Sequence, residues 1–206
     1  EGCDIWVGTQ IPTVVQSSVA KALGLPVDRV RIHNHFLGGG FGRRLEFDFA
    51  LQAALFARQV KAPLKVIWSR EEDVQHDMYR PYYYDRISAG LDGQGKVVAW
   101  KHRIVGSSIV ARFAPSAYKN DVDFDAVDGA IDLAYDLPAT RVEYVREEPM
   151  AVPTAFWRGV GPTRNAFVVE GFVDELAAAA KKDPVEFRRG LLAKSPRALH
   201  VLERAA

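Results

Sequence analysis

The stretch "RVRIHNHFLGGGFGRRLEFDFALQAALFARQV", residues 29–60, decides how the chain is read. Its first part alternates. Val30 and Ile32 share one face with Asn34, while Arg31, His33 and His35 share the other, the pattern of a half-buried strand. In its last part Phe47, Ala50, Leu51, Ala54 and Leu55 recur at helical spacing. Between the two stand Gly38, Gly39 and Gly40, then Phe41, Gly42 and the pair Arg43–Arg44. Glycine surrenders more backbone freedom on folding than any other residue, so such a run marks a sharp bend or a close approach to the backbone. A strand, a glycine-rich loop and a helix start together make a ready anion site, because loop N–H groups and the helix dipole point the same way. Both common nucleotide fingerprints fail here. The dinucleotide pattern needs glycine where Arg43 stands, and the P-loop needs lysine followed by serine or threonine. On these residues a plain turn and an anionic cofactor with a flat ring system both stay open.

Working outward, "CDIWVGT" (3–9) reads as a strand with Ile5 and Val7 on one face. Residues 12–25 read as a helix, with Pro12 in its first turn and Gly24 at its end. "PLKVIWS" (63–69) reads as a returning strand, so that 28–69 form a strand, loop, helix and strand. Ser69 and Glu72 then make a capping box for a short helix. Residues 86–106 read as a hairpin turning at Asp92, Gly93 and Gly95, and 140–148 as a further strand. A long apolar helix is predicted over 163–183, followed by one that Asp183 caps and Pro184 begins. Hairpins mixed with helices predict an α+β fold, mixed sheets with packed helices, rather than a regular doubly wound sheet. The chain has no initiator methionine, opens at Glu1 inside a strand pattern and closes on "LHVLERAA" inside a helix pattern. Residues 1–206 therefore read as an incomplete region of a longer subunit, with an internal boundary near 76–82. Localisation is not legible from it, and cytoplasm and periplasm are both compatible.

Bulk composition narrows the function classes. Apolar residues make up 48% and charged residues 26%, as in a folded domain, and the net charge of +1 gives no overall drive toward nucleic acid or anionic membrane. No apolar run reaches membrane-spanning length. A single cysteine, Cys3, excludes an internal disulfide, an iron–sulfur cluster and a cysteine-rich zinc site.

Further stretches carry possible chemistry. "TAFWRGVGPTRNAF" (154–167) is another glycine-bearing loop entering a helix, with Arg158 and Arg164 on it. Two such loops could grip one anionic ligand from opposite sides. His33 and His35 are a metal-pair candidate, but zinc needs further ligands and His76 or Asp77 would have to come from elsewhere. "HDMYRPYYYDR" (76–86) suits stacking or a subunit contact as well as an ordinary core edge. Glu170 beside Gly171 invites a catalytic role, although a helix-face carboxylate is more often structural or solvated.

"GGGFGRRLEFD" and "AFWRGVGPTRNAFVVEGFVDELA", preceded by "WVGTQIPTVVQSSVAKALGLP", resemble the large subunit of molybdenum hydroxylases of the xanthine oxidase family, closest to the isoquinoline 1-oxidoreductase β-subunit and aldehyde oxidase-like branch. The resemblance runs along essentially the whole chain, in order and at matching spacing. It implies a molybdenum–pterin cofactor, molybdopterin in its plain or cytosine-dinucleotide form, held by hydrogen bonds and without protein side chains on the metal. By position, Gln10 matches the glutamine that reaches the metal's oxo ligand. Gly39, Gly40, Phe41 and Gly42 match the loop whose amides meet the cofactor, and Arg158 matches the arginine beside the metal. Leu45, Glu46, Trp157 and Val160 become the substrate-pocket candidates.

The departures from the purine-oxidising pattern are informative. That pattern has glycine, lysine and glutamate after Phe–Gly, whereas here Arg43, Arg44 and Leu45 come first and Glu46 is displaced by one position. The aromatic residue after the metal-side arginine is replaced by Val160. The resemblance thus implies hydroxylation of an N-heteroaromatic or an aldehyde with oxygen from water. It places the general-base glutamate downstream of residue 206, so no catalytic residue is assigned here and this chain alone is expected to be inactive. It also implies two partners, the remaining C-terminal half of the subunit and a separate iron–sulfur small subunit, since Cys3 cannot ligate clusters. No nucleic acid and no membrane span are expected. The rival expectation is a non-catalytic module binding a phosphate-bearing ligand through Gly38–Arg44.

Overall fold

The computed structural model describes residues 2–148 and 152–206, so Glu1 lies outside the described residues. The chain divides into two units, one of residues 1–80 with 151–158 and one of residues 81–150 with 159–206.

In the first unit, β1 (Cys3–Val7) leads into α1 (Pro12–Leu23), and β2 (Val30–Asn34) returns parallel to β1 with Cys3 opposite Val30 and Val7 opposite Asn34. Helix α1 starts at Pro12, whose missing N–H is no loss in a first turn. It ends where Gly24 turns left-handed and the Leu25 N–H reaches back 2.9 Å to the Ala20 carbonyl. Ile5, Val15, Val19, Ala20 and Val30 pack with Ala50 and Ala54 of α2 (Asp48–Val60). The apolar faces expected from the 2-residue and 3.6-residue periods thus meet in one core. Helix α3 (Arg70–His76) is capped as expected, the Ser69 hydroxyl accepting from the Glu72 N–H at 3.2 Å. After it, Tyr79 bridges to Thr154 in parallel sense.

The expected strand over 63–69 is not formed. Strand propensity there is real, but a strand exists only with a partner for its N–H and C=O groups. Among the described residues strands β1 and β2 pair with each other alone, and Ile67 and Trp68 are exposed.

In the second unit, β3 (Tyr83–Leu91) and β4 (Val97–Gly106) form the expected hairpin, with Tyr83 opposite Gly106. Its turn is held by Asp92, whose carboxylate accepts the N–H groups of Gln94 and Lys96. Two short helices, α4 (Ile109–Phe113) and α5 (Phe124–Val127), precede β5 (Thr140–Arg146), which pairs parallel to β4. The long α6 (Val160–Ala179) sets Val169, Val173, Leu176 and Ala177 against Val97 and Trp100. Phe187 and Leu191 of α7 (Pro184–Leu191) close that core, and α8 (Pro196–Ala205) follows. Helices and mixed sheets together are the expected α+β architecture. Among the described residues no helix is long and apolar enough to cross a membrane.

Candidate cofactor site

The glycine loop leaves the end of β2 and returns through a short 3-10 turn (Arg43–Leu45) into α2. Its start is fixed by a side chain that sequence reading placed only on a strand face. Asn34 receives the Thr9 N–H at 2.9 Å and donates to the Thr9 carbonyl at 3.0 Å. Buried Thr9 in turn receives the Ile11 N–H on its hydroxyl, which donates to the Arg44 carbonyl. The Gln10 N–H reaches the same carbonyl at 3.0 Å. Gln10 is thereby held against the loop, and a Cβ built on Gly40 would collide with its carboxamide. Neither Thr9 nor Asn34 was singled out as a site residue. The only signal was their position at the ends of two strands that proved to be neighbours.

The loop turns through Gly39, Phe41 and Gly42, all at positive φ. For Phe41, at φ 51°, this is a strained conformation that the surroundings must hold. Gly42, at φ 93°, has a second constraint, since an added Cβ would lie 2.5 Å from the Phe156 carbonyl carbon and 2.7 Å from the Trp157 nitrogen. The segment 156–158 lies against the loop. The Arg158 N–H donates to the Phe41 carbonyl at 2.9 Å, and the Arg158 guanidinium stands over the Phe41 ring. Gln10, Gly39, Gly40, Phe41, Gly42, Trp157 and Arg158 are therefore gathered in one unit. Among the described residues no protein acceptor meets the N–H groups of Gly39, Gly40, Phe41 or Gly42. A row of amides without internal partners is the donor set an anionic, hydrogen-bonded cofactor requires.

The pocket candidates separate. Trp157 is exposed at the rim, with the Arg80 guanidinium 5.4 Å from its ring centre. Leu45 is half-buried in the 3-10 turn, and Glu46 is only 1% exposed beneath it. Val160 belongs to the other unit. Arg164 differs from what its place beside a glycine loop suggests. It is turned into the second unit, 3.5 Å from the Tyr83 ring centre and bonded to the Ala126 carbonyl. Burial lowers its pKa and pushes the Tyr83 hydroxyl up to about 12. The second loop thus grips its own interior.

Other candidates are absorbed by the fold. His33 stacks on Trp6 at 4.5 Å and meets the Asp4 carboxylate at 2.8 Å. Arg31 and His33 together hold Asp4 well below the usual carboxylate range. His76 stands near Glu72 on α3, and no cluster able to hold a metal occurs among the described residues. Glu170 accepts from Tyr135 at 2.8 Å and from Arg188 at 2.9 Å, a network that ties α6 to α7.

Comparison with known proteins identifies the family of the chain. The model of the molybdopterin cofactor-binding domain matches residues 1–191. The chain belongs to this family. The isoquinoline 1-oxidoreductase subunit beta of Brevundimonas diminuta is 35% identical over 207 residues, covering 98% of this chain and 26% of that protein. The aldehyde oxidoreductase molybdenum-binding subunit PaoC of Escherichia coli K12 is 31% identical, over 89% of this chain and 24% of the relative. Quinoline 2-oxidoreductase from Pseudomonas putida 86 superposes with a TM-score of 0.73 at 23% identity, over 90% of this chain and 24% of the other, which establishes a common fold. The molybdopterin-binding domain therefore spans about a quarter of the length of the relatives it matches. The rival reading, a module for some other phosphate-bearing ligand, is not favoured.

Proposed function

We propose that this domain supplies one wall of the cofactor site in an oxidoreductase that hydroxylates N-heteroaromatic compounds or aldehydes. The observation that carries the reading is the row of acceptorless amides at Gly39–Gly42, set between Gln10 and Arg158. The residues fit the cofactor. The amides donate to its oxygens, and glycines let it come close to the backbone. The Gln10 carboxamide can donate one further hydrogen bond. The Arg158 guanidinium, braced by the Phe41 ring, supplies fixed positive charge. When bound, the molybdenum centre supplies a two-electron oxidation and the water-derived oxygen. Trp157 offers a flat apolar surface on which an aromatic substrate can stack, and Leu45 and Glu46 complete the candidate pocket within the same unit. The pterin's cytosine-dinucleotide form, a general base from another part of the subunit and an iron–sulfur partner that takes the electrons belong to the same proposal.

The test uses the intact enzyme that carries this chain. Purified from its source, it is expected to contain molybdenum and pterin in equal amounts and to reduce an electron-accepting dye with an N-heterocycle or an aldehyde. Residues 1–206 expressed alone are expected to give no turnover. Intact enzyme devoid of pterin, or turnover by the isolated domain, refutes the reading.

A further inference from the structure

The two arginines after the glycine loop look from sequence like anion ligands, yet Arg43 is already committed. Its Nη1 and Nη2 donate to the two oxygens of Asp48 at 2.8 Å each, a bidentate pair, and its Nε donates to Asp77 at 2.6 Å. The Phe49 ring lies 5.3 Å from its guanidinium carbon. All three charged side chains are about three-quarters covered. Burial disfavours the guanidinium charge, but the hydrogen bonds to Asp48 and Asp77 outweigh it and raise its pKa above the ordinary arginine value.

The connections beyond Asp77 give this pair of salt bridges a purpose. Asp77 also accepts the Met78 N–H at 2.8 Å, which fixes the exit from α3. One residue on, the Tyr79 N–H donates to the Pro153 carbonyl at 2.8 Å, and the Ala155 N–H donates to the Tyr79 carbonyl at 3.0 Å. That segment runs directly into Phe156, Trp157 and Arg158, which lie back on Gly42 and Phe41. The path closes on itself, from loop to Arg43, Asp77, Tyr79, the 153–155 segment, Arg158 and the loop again. Every link but one is a backbone contact or an ordinary hydrogen bond. The exception is the ion pair of Arg43 with Asp77, whose guanidinium partner is held in orientation by its bidentate pair with Asp48.

We infer that Arg43 is a positioning residue for cofactor retention, a clamp that sets the Gly39–Gly42 amides and Arg158 at a fixed separation, and that it does not bind the cofactor itself. The inference rests on the proposed function above. Groups that orient a ligand typically change its affinity by about 10–100-fold when removed.

The experiment measures pterin release from the intact enzyme, by fluorescence of the filtrate over time well below the unfolding midpoint, with molybdenum content and circular dichroism in parallel. Arg43→Met is expected to speed release by about 100-fold, and Asp77→Asn and Asp48→Asn by about 10-fold each. Arg43→Lys, which keeps the charge without the fork, is expected between them. If Arg43 instead gripped the cofactor's anionic groups, neutralising either aspartate would free it, and release would stay constant or slow. That result overturns the clamp. So does a variant whose midpoint falls while release from folded protein is unchanged, because the role is then structural alone. Should Arg43→Met fail to fold, Asp77→Asn decides. Unaltered enzyme without pterin overturns the proposed function and the clamp together, whereas pterin held equally by all variants overturns only the clamp.

Discussion

Two glycine-bearing loops enter helices in this chain, and their glycines meet different neighbours. In the loop at 38–42 the N–H groups of Gly39 to Gly42 find no acceptor among the described residues. In the loop at 159–162 Gly161 is buried. A Cβ on Gly161 would collide with the Asp125 carbonyl and lie 2.8 Å from the Asp128 carbonyl. Asn165, one turn further along α6, donates to the Ala126 and Asp128 carbonyls at 3.0 and 2.7 Å. Glycine serves close approach in both places. In the first loop the approach is between Gly42 and the 156–157 backbone. In the second it lets a helix seat on a turn, and the N–H groups of Gly159, Val160 and Gly161 at the start of α6 likewise meet no acceptor among the described residues. Glycine density and unpaired amides therefore occur in both loops, and what sets the first apart is that Gln10 and Arg158 lie against it.

The largest expected break in this comparison is Gly42→Val. A β-branched residue at φ 93° is strained by about 1–3 kcal/mol. Its Cβ, forced against Phe156 and Trp157, adds roughly 1–3 kcal/mol of overpacking. Urea unfolding is expected to show that loss, and metal analysis of the intact enzyme to show no bound molybdenum. Gly161→Ala is next. It costs roughly 1–3 kcal/mol through the two carbonyls it meets, without a positive φ to worsen it. Pterin release from protein that remains folded is expected to be unchanged. An equal effect of the two substitutions on cofactor retention would erase the distinction between the loops.

The smallest effect sharpens the packing under Gly161. Asp125 lies under Gly161, and burial, with Asp123 and Asp128 nearby, raises its carboxyl from 3.8 to about 6. Between these values the folded state binds more protons than the unfolded one, so stability falls as pH rises through that window and the penalty is complete above it. Asp125→Asn removes the charge. It is expected to raise the melting midpoint at pH 7 slightly and to flatten its decline between about pH 4 and 6. A mutant with the same pH slope as the parent would show that Asp125 is not the group responsible.

The sequence by itself determined the local elements and the row of glycines. Periodicity located β1, α1, β2, α2, the β3–β4 hairpin, β5 and α6 because each period reflects which face is buried, and caps such as Ser69 and Asp183 act within a few residues of themselves. Resemblance along the whole chain pointed to the molybdopterin-binding family that the comparisons establish. The tertiary structure alone decided what depends on distant partners. Residues 63–69 carry strand composition but form no strand, because pairing needs a neighbour that composition cannot name. Arg43, Arg158 and Arg164 look alike beside their glycines, yet one is clamped by Asp48 and Asp77, one stands over Phe41, and one is buried on Tyr83. An arginine's role follows from which carboxylates and rings the fold brings within about 3–6 Å of it. For Arg43 one of those partners lies 34 residues away, and for Arg164, on α6, the ring lies on strand β3. Spacing along the chain does not encode such distances, because they are set only when strands pair and helices pack.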